Sequence, residues 1–324
     1  MNEKKTFSFS RFYQRFGVLM LLIIVFVAAS LISPKFLTAQ NLSNVLRQIT
    51  AIAVIGCGCC FVLISANINI AYDGLLACIG TASCMIMAAT QNLLVAVLGG
   101  VLLGAAFGYC YGIFITTFRI PGFIVGLAFS SIASGAIMLA TNGVAVAKSS
   151  LGNFRVLGQG YIGGVIPVCV VIMLAVLLVC HIILNKTSFG MKVKAVGGNR
   201  EAAVASGINV KRVVRQVFIL DGITCAIGAI LFMSRINSGD PSAGVGSCFD
   251  AITAVCVGGV SIQGGTGGVI GTLLGGAIVG ILNNLLNLLN INSNWQMIIS
   301  GMVILFAVSV DTLVKNTLAK NEKK

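Results

Sequence analysis

Charge is scarce in this chain, and negative charge is scarcest. Its 324 residues hold eight Asp and Glu, 21 Lys and Arg and one His, so only 9% are charged. Soluble domains carry roughly 25%. With 57% hydrophobic residues and a mean hydropathy of +1.03, a water-soluble fold is excluded and the solvent is a bilayer. The same shortage removes most routes to catalysis. The apolar segments contain no paired carboxylates, and the lone His181 sits near the inner end of one of them, where it reads as an interfacial residue rather than a general base. No lysine follows a glycine, which rules out a Walker A loop and ATP binding of that kind. Metal ligation lacks partners as well. Ten of the eleven cysteines lie in apolar segments and Cys248 in an outer loop; Cys57, Cys59 and Cys60 have no His or carboxylate nearby and read as small buried hydrophobes.

What is abundant is long apolar stretches. Windows of about 20 residues mark ten spans, near 17–33, 44–65, 73–90, 93–117, 122–141, 163–184, 213–233, 249–263, 267–289 and 295–313, the eighth being short. The first follows Lys4, Lys5, Arg11 and Arg15 like a signal peptide, but no small-residue cleavage site precedes Pro34, so it is expected to stay as a helix. Net charge +13 raises the question of nucleic acid, yet the cations gather at the chain ends and in one loop, the distribution that orients a membrane protein. With both termini cytoplasmic, 16 Lys and Arg fall inside and five outside, namely Lys35, Arg47, Lys148, Arg155 and Arg235. The expected fold is therefore an all-α polytopic membrane protein, a single domain over residues 1–324, in contact with lipid and not with nucleic acid.

Two segments carry glycine at every fourth position: Gly100, Gly104, Gly108 and Gly112 in the fourth span, and Gly267, Gly271 and Gly275 at the ninth. Such ladders strip one helix face so that a neighbour can approach closely, and intramolecular packing is their expected role. The ladders lie five spans apart. An odd offset would relate two halves by inverted topology, giving two repeats of five. Polar breaks follow the same offset, ANINIAYDG (Ala66 to Gly74) before the third span and INSGDPSAGVG (Ile236 to Gly246) before the eighth.

Polar residues inside hydrocarbon must face protein or water. Asn283, Asn287, Asn290 and Asn294 form one stripe, which serves either helix-to-helix hydrogen bonding or a path for an uncharged, polyhydroxylated solute. Asn67, Asn69, Tyr72 and Asp73 in the first break are candidates for the same path, with Asp73 equally a cap for the third span. Asp221, deeper in the seventh span, is a candidate partner for a buried cation or hydroxyl.

One stretch is unlike the rest. In VGGNREAAVASGINVKRV, Val196 to Val213, Asn199 suits an N-cap, Glu201 suits the first turn of a helix and Gly207 suits its stop, so a helix of two turns is expected over about 200–206. Two turns alone are unstable in water, so the fold and a partner must hold them.

GGNREAAVASGIN resembles the cytoplasmic coupling loop of permease subunits from the ribose/galactose/xylose class of bacterial ABC importers. Arg235 to Asp311 is similar to that family's C-terminal half almost throughout, and PGFIVGLA (Pro121 to Ala128) to its central P-F-I-V-T-L element. The resemblance implies a monosaccharide permease of the bacterial inner (plasma) membrane, not itself an enzyme. It implies a second permease subunit as homodimer or heterodimer, an extracytoplasmic solute-binding protein and a cytoplasmic ATPase that holds the ATP and Mg; this chain would bind no cofactor and no metal. Gly198, Asn199, Glu201, Ala202, Ala203, Ser206 and Gly207 match the loop, 185–215, that docks on the ATPase. The chain departs from the family at Ala66–Gly74, where the pattern is usually G-G-I-D-L-S-V-G. A nucleoside or branched-chain amino-acid permease is the neighbouring alternative. An ion-coupled secondary transporter, needing an intramembrane acid such as Asp73 or Asp221, is the alternative of another class.

Overall fold

The computed structural model describes residues 9–292 and scattered positions between 295 and 309, with side chains from residue 17 onward. Almost all of it is helix: α1 (Phe9–Ile32), α2 (Ala39–Ile64), α3 (Tyr72–Thr90), α4 (Leu93–Thr116), α5 (Gly122–Thr141), a short α6 (Val156–Gln159), α7 (Val168–Lys186), α8 (Ser188–Gly198), α9 (Arg200–Ala205), α10 (Val210–Ile236), α11 (Ser247–Val257) and α12 (Val269–Leu288). Seven of them, α2, α3, α4, α5, α7, α10 and α12, are long and apolar enough to cross a membrane; Gly17–Ile32 and α11 are shorter apolar helices. Only scattered positions of the tenth expected span, 295–313, are described, and Asn294 and both chain ends lie outside the described residues.

Helix ends follow local chemistry. The Asn92 side chain accepts from Leu94 N at 3.0 Å and opens α4, and that of Asn209 accepts from Arg212 N at 3.0 Å and opens α10. Left-handed residues close three helices: Gln91 after α3, Asn142 after α5 and Asn237 after α10, with φ of 50°, 51° and 51°. The sixth span begins later than expected, because residues 161–167 form a two-stranded hairpin that pairs Ile162 with Ile166.

Packing separates a buried centre from an apolar rim. α2 is buried along nearly all its length, with α10 and α12 packed on it, whereas α4, α5 and α7 turn Leu98, Leu102, Leu127, Leu139, Leu174 and Leu178 outward. In water such a surface would aggregate; against acyl chains it costs nothing.

The charge parity can be checked by where the loops meet. Segments expected inside converge on one end. Gly264 packs on Ala66 and on Gly197 O, and the Arg215 guanidinium donates to Thr116 and Thr117 at 2.8 and 2.9 Å. Segments expected outside converge on the other end. Val146 pairs with Gly239, Gly158 N donates to Ser234 Oγ at 2.7 Å, and Gln91 Nε2 donates to Ser150 O at 2.9 Å.

Both glycine ladders serve intramolecular packing. Gly104, Gly108 and Gly112 of α4 abut the main chain of α10 at Gly222, Phe218 and Arg215. Gly271 and Gly275 of α12 abut Gly258 O and Ala254 O of α11, and Gly276 and Gly280 abut Ala53 and Ile49 of α2. Gly267 is not part of the helical ladder, since it lies in the loop before α12. The pairings follow the five-span offset: α4 packs on α10 as α12 packs on α2, and α3 on α4 as α11 on α12.

The eighth span, expected over 249–263, is not a full crossing. α11 has 11 residues, and at 1.5 Å per residue that is about 16 Å against a hydrocarbon core of about 30 Å. Gly258 and Gly259 end it, the latter with φ +83°, and a glycine-rich loop then returns the chain to α12.

Candidate functional site

The polar residues of the first break reach α10 and the start of α11. Asn69 and Tyr72 converge on one carboxylate: Asn69 Nδ2 donates to Asp221 Oδ2 at 2.7 Å and Tyr72 Oη to Asp221 Oδ1 at 2.8 Å. Asp221 is 1% exposed, and a side chain at Gly58 would occupy its place, so this α2 glycine is what lets the acid in. Asn69 Oδ1 also accepts from Ala71 N at 2.9 Å and shapes the entrance to α3. Tyr111 of α4 donates to Gly122 O at 2.7 Å and stacks on Phe218, with ring centroids 4.5 Å apart. The hydroxyl expected to partner Asp221 is therefore Tyr72. Asn67 is not brought to this cluster, since its amide turns back to Ser65 O and Oγ at 2.9 and 3.0 Å.

Asp73 does not cap its own helix. Residue 71 is the N-cap of α3 and contributes no side-chain bond. Instead the Asp73 carboxylate accepts from Cys248 N at 2.7 Å and Gly246 N at 3.2 Å, capping α11 across 175 and 173 residues of sequence. The acid of the first break holds the half-length helix that follows the second.

Beside α11 a small open cleft runs between α2, α10 and α12. Its polar lining is Gln48, Arg235, Ser247, Asp250 and Asn283, with Phe232 among the apolar walls. Asn283 Nδ2 donates to Asp250 Oδ2 at 2.9 Å. The asparagine stripe thus divides. Asn283 reaches the cleft, Asn287 and Asn290 are exposed beyond it, and the neighbouring Asn284 exchanges a reciprocal pair of 3.0 Å bonds with Asn41. Sequence reasoning missed Gln48, Arg235 and Asp250. Asp250 had a usable signal, an acid in the first turn after a polar break, as Asp73 is; Arg235 is hidden at a helix end that charge counting assigns to the outer surface.

At the inner end, α8 and α9 form a corner. Asn199 Oδ1 accepts from Ala202 N at 2.9 Å, Ser206 Oγ donates to Ala202 O at 2.9 Å, and Gly207 at φ +78° ends the helix, as the residue types imply. Gly198, Asn199, Glu201, Ala202, Ser206 and Gly207 are exposed, while Ala203 is buried at 3% and anchors α9 to the chain's own body. Behind the corner Gly197 lies against Ile64 O, which also accepts from Gly265 N at 2.8 Å. The corner, the end of α2 and the loop after α11 are joined main chain to main chain. Side chains on Gly197, Gly264 or Gly265 would part them.

A multi-pass bundle with clasped polar breaks, an open polar cleft and an exposed capped helix at one end has the build of a solute permease. Comparison with known proteins agrees. The sequence profile of the family described as branched-chain amino acid transport system / permease component matches residues 41–308, and the chain belongs to that family. It is 36% identical over 313 residues to the ribose import permease protein RbsC of Haemophilus influenzae, covering 96% of this chain and 97% of that one. It is 35% identical to the ribose import permease protein of Bacillus subtilis, over 95% and 96% of the two chains, and 34% identical to an L-arabinose ABC transporter permease protein of Azospirillum brasilense, over 93% and 88%. Among solved structures, an inward-facing putative metal-chelate type ABC transporter shares the fold, with a TM-score of 0.51 at 15% identity, covering 93% of this chain and 98% of that one.

Proposed function

We propose that this chain is the transmembrane subunit of an ATP-driven importer that carries a monosaccharide across the bacterial inner membrane. The observation that carries the coupling role is the α8–α9 corner. It is a two-turn helix, too short to stand alone, capped by Asn199, exposed on six of the seven loop positions and fastened to the transmembrane body through Gly197. Full-length relatives that import ribose and arabinose support the sugar substrate. So does the cleft, where amides, a hydroxyl and one charge of each sign line the wall.

In this reading a separate ATPase, holding ATP and Mg, docks on Gly198, Asn199, Glu201, Ala202, Ser206 and Gly207. A second permease subunit completes the pathway, and an extracytoplasmic binding protein delivers the sugar to the end formed by 142–160 and 235–248. ATP-driven closure of the ATPase pair pushes on α9, and the corner passes the movement to α2 and to the loop behind α11. Replacing Arg200–Ser206 by a Gly-Ser linker of equal length tests the assignment. The expected result is a chain that still inserts but no longer co-purifies with the ATPase. Full retention of the ATPase overturns the docking role.

A further inference from the structure

We infer that the α4–α5 turn and the first turns of α10 form a binding site for an acidic phospholipid at the inner end of the bundle, with Arg119 and Arg215 on its phosphate and Phe114, Phe118 and Phe123 against its acyl chains. Such a site is independent of the solute carried. The Arg215 guanidinium is fixed by two neutral acceptors, Nε donating to Thr116 Oγ1 at 2.8 Å and Nη2 to Thr117 Oγ1 at 2.9 Å. The threonines position the fork without cancelling its charge, and its other N–H groups have no protein acceptor among the described residues. Two residues beyond Thr117 the turn carries Arg119, exposed and at φ +56°, a conformation that favours glycine, so the backbone alone does not call for a cation there. Neither arginine has a carboxylate partner among the described residues.

The surface beside them is aromatic and open. Phe118 is 63% exposed and Phe123 55%, and Phe114 stacks on Phe118 one helical turn away, with ring centroids 5.4 Å apart. Cations next to exposed apolar rings match an amphiphile: phosphate oxygens accept from the guanidinium groups, and acyl chains cover the rings. An acidic protein surface or a free phosphate would satisfy the arginines but leave Phe118 and Phe123 uncovered. The site also adjoins the first polar break. Tyr111 of α4 donates to Gly122 O at 2.7 Å, and Gly122, which opens α5, lies against Ile68 O of the break. A bound headgroup therefore steadies the turn on which that break rests.

The test uses the full-length permease, stripped of lipid and titrated in detergent with dioleoylphosphatidylglycerol, dioleoylphosphatidylcholine or glycerol 3-phosphate. Native mass spectrometry reads the first molecule bound. The wild type is expected to prefer phosphatidylglycerol over phosphatidylcholine by about ten-fold, the size of one charge-assisted hydrogen bond, and to bind no glycerol 3-phosphate. Arg119→Gln and Arg215→Gln should each remove most of that preference. Phe118→Ala should weaken both phospholipids alike and leave their ratio unchanged. Lys192→Gln, an exposed cation of the 185–215 loop, should change neither. If Arg215→Gln fails to fold, the exposed Arg119→Gln decides. Equal binding of the two phospholipids by the wild type overturns the site. So does a loss in Lys192→Gln as large as in Arg119→Gln, which would show diffuse attraction between a basic face and acidic lipid. Glycerol 3-phosphate bound as tightly as phosphatidylglycerol overturns the lipid as occupant.

Discussion

The amide of Asn69 donates to the carboxylate of Asp221 at 2.7 Å, joining the first polar break to the middle of α10. At Ala66–Gly74, where the sequence departs from the G-G-I-D-L-S-V-G pattern, the bond brings the break to an acid. The break has an acid within reach after all, but α10 supplies it. A swap should therefore be tolerated better than one of its parts. Asn69→Asp sets two carboxylates together where Asp221 is 1% exposed, and is expected to lower the thermal midpoint of the purified chain sharply. Asp221→Asn should cost less, because an amide can still accept from Tyr72. The double exchange restores one acid and one amide, and should recover about 1–2 kcal/mol relative to the sum of the singles, the upper range for interhelical bonds in membranes. Simple additivity would dismiss the pairing as a determinant of stability.

The Asp73 cap of α11 gives a second expectation. Asp73→Ala leaves the main-chain N–H groups of Gly246 and Cys248 without their acceptor, a loss of about 0.5–2 kcal/mol. The loss falls on a helix of 11 residues, so it should appear as local opening rather than global unfolding. Hydrogen exchange at 246–252 is expected to quicken, with exchange across α2 unchanged. Uptake should fall while association with the ATPase persists. Uniform exchange in wild type and variant would remove Asp73 from this role.

Glycines in the ladders and glycines in open space make a direct contrast. A methyl at Gly108 meets Phe218 O and the main chain of Ile219, so α4 and α10 must separate, at about 1–3 kcal/mol. Gly135 of α5 has nothing within 4 Å among the described residues, and alanine there should stabilise by about 0.4–1 kcal/mol through the unfolded chain. Thermal midpoints of Gly108→Ala and Gly135→Ala are expected to move in opposite directions. Movement in the same direction would mean the ladder does not set the α4–α10 approach.

Much of this architecture was legible because bilayers impose crude rules. Apolar length located the spans, cation parity sorted the loops that later meet at Gly264 and at Val146, and the capping residues around Asn199 predicted α9 nearly to the residue. What stayed hidden depends on distance in the fold. Nothing local says that Asp73 caps a helix 175 residues away, or that Asp221 belongs with Asn69. α11 reads as a short span because its composition is apolar, and only Gly258 and the positive φ at Gly259 show that it stops halfway. Arg235 reads as an outer-loop charge because parity counts charges and is blind to the cleft they face.

The Gly197 joint gives the sharpest separation of docking from coupling. Its main chain lies against Ile64 O, and Gly265 N donates to that same oxygen at 2.8 Å, so α2, the α8–α9 corner and the loop behind α11 meet at one carbonyl. Gly197→Ala forces main-chain atoms apart, because no flexible side chain is there to yield. The exposed face of α9 is untouched by this change, so the ATPase should bind the variant as it binds the wild type. What should fail is transmission. If the displaced contact is worth about 1.4 kcal/mol, one factor of ten, sugar moved per ATP hydrolysed should drop about ten-fold while ATPase co-purification is preserved. Uptake and ATP turnover measured on the same proteoliposomes give that ratio. An unchanged ratio would show that movement passes from α9 to the cleft by a route other than the carbonyl of Ile64.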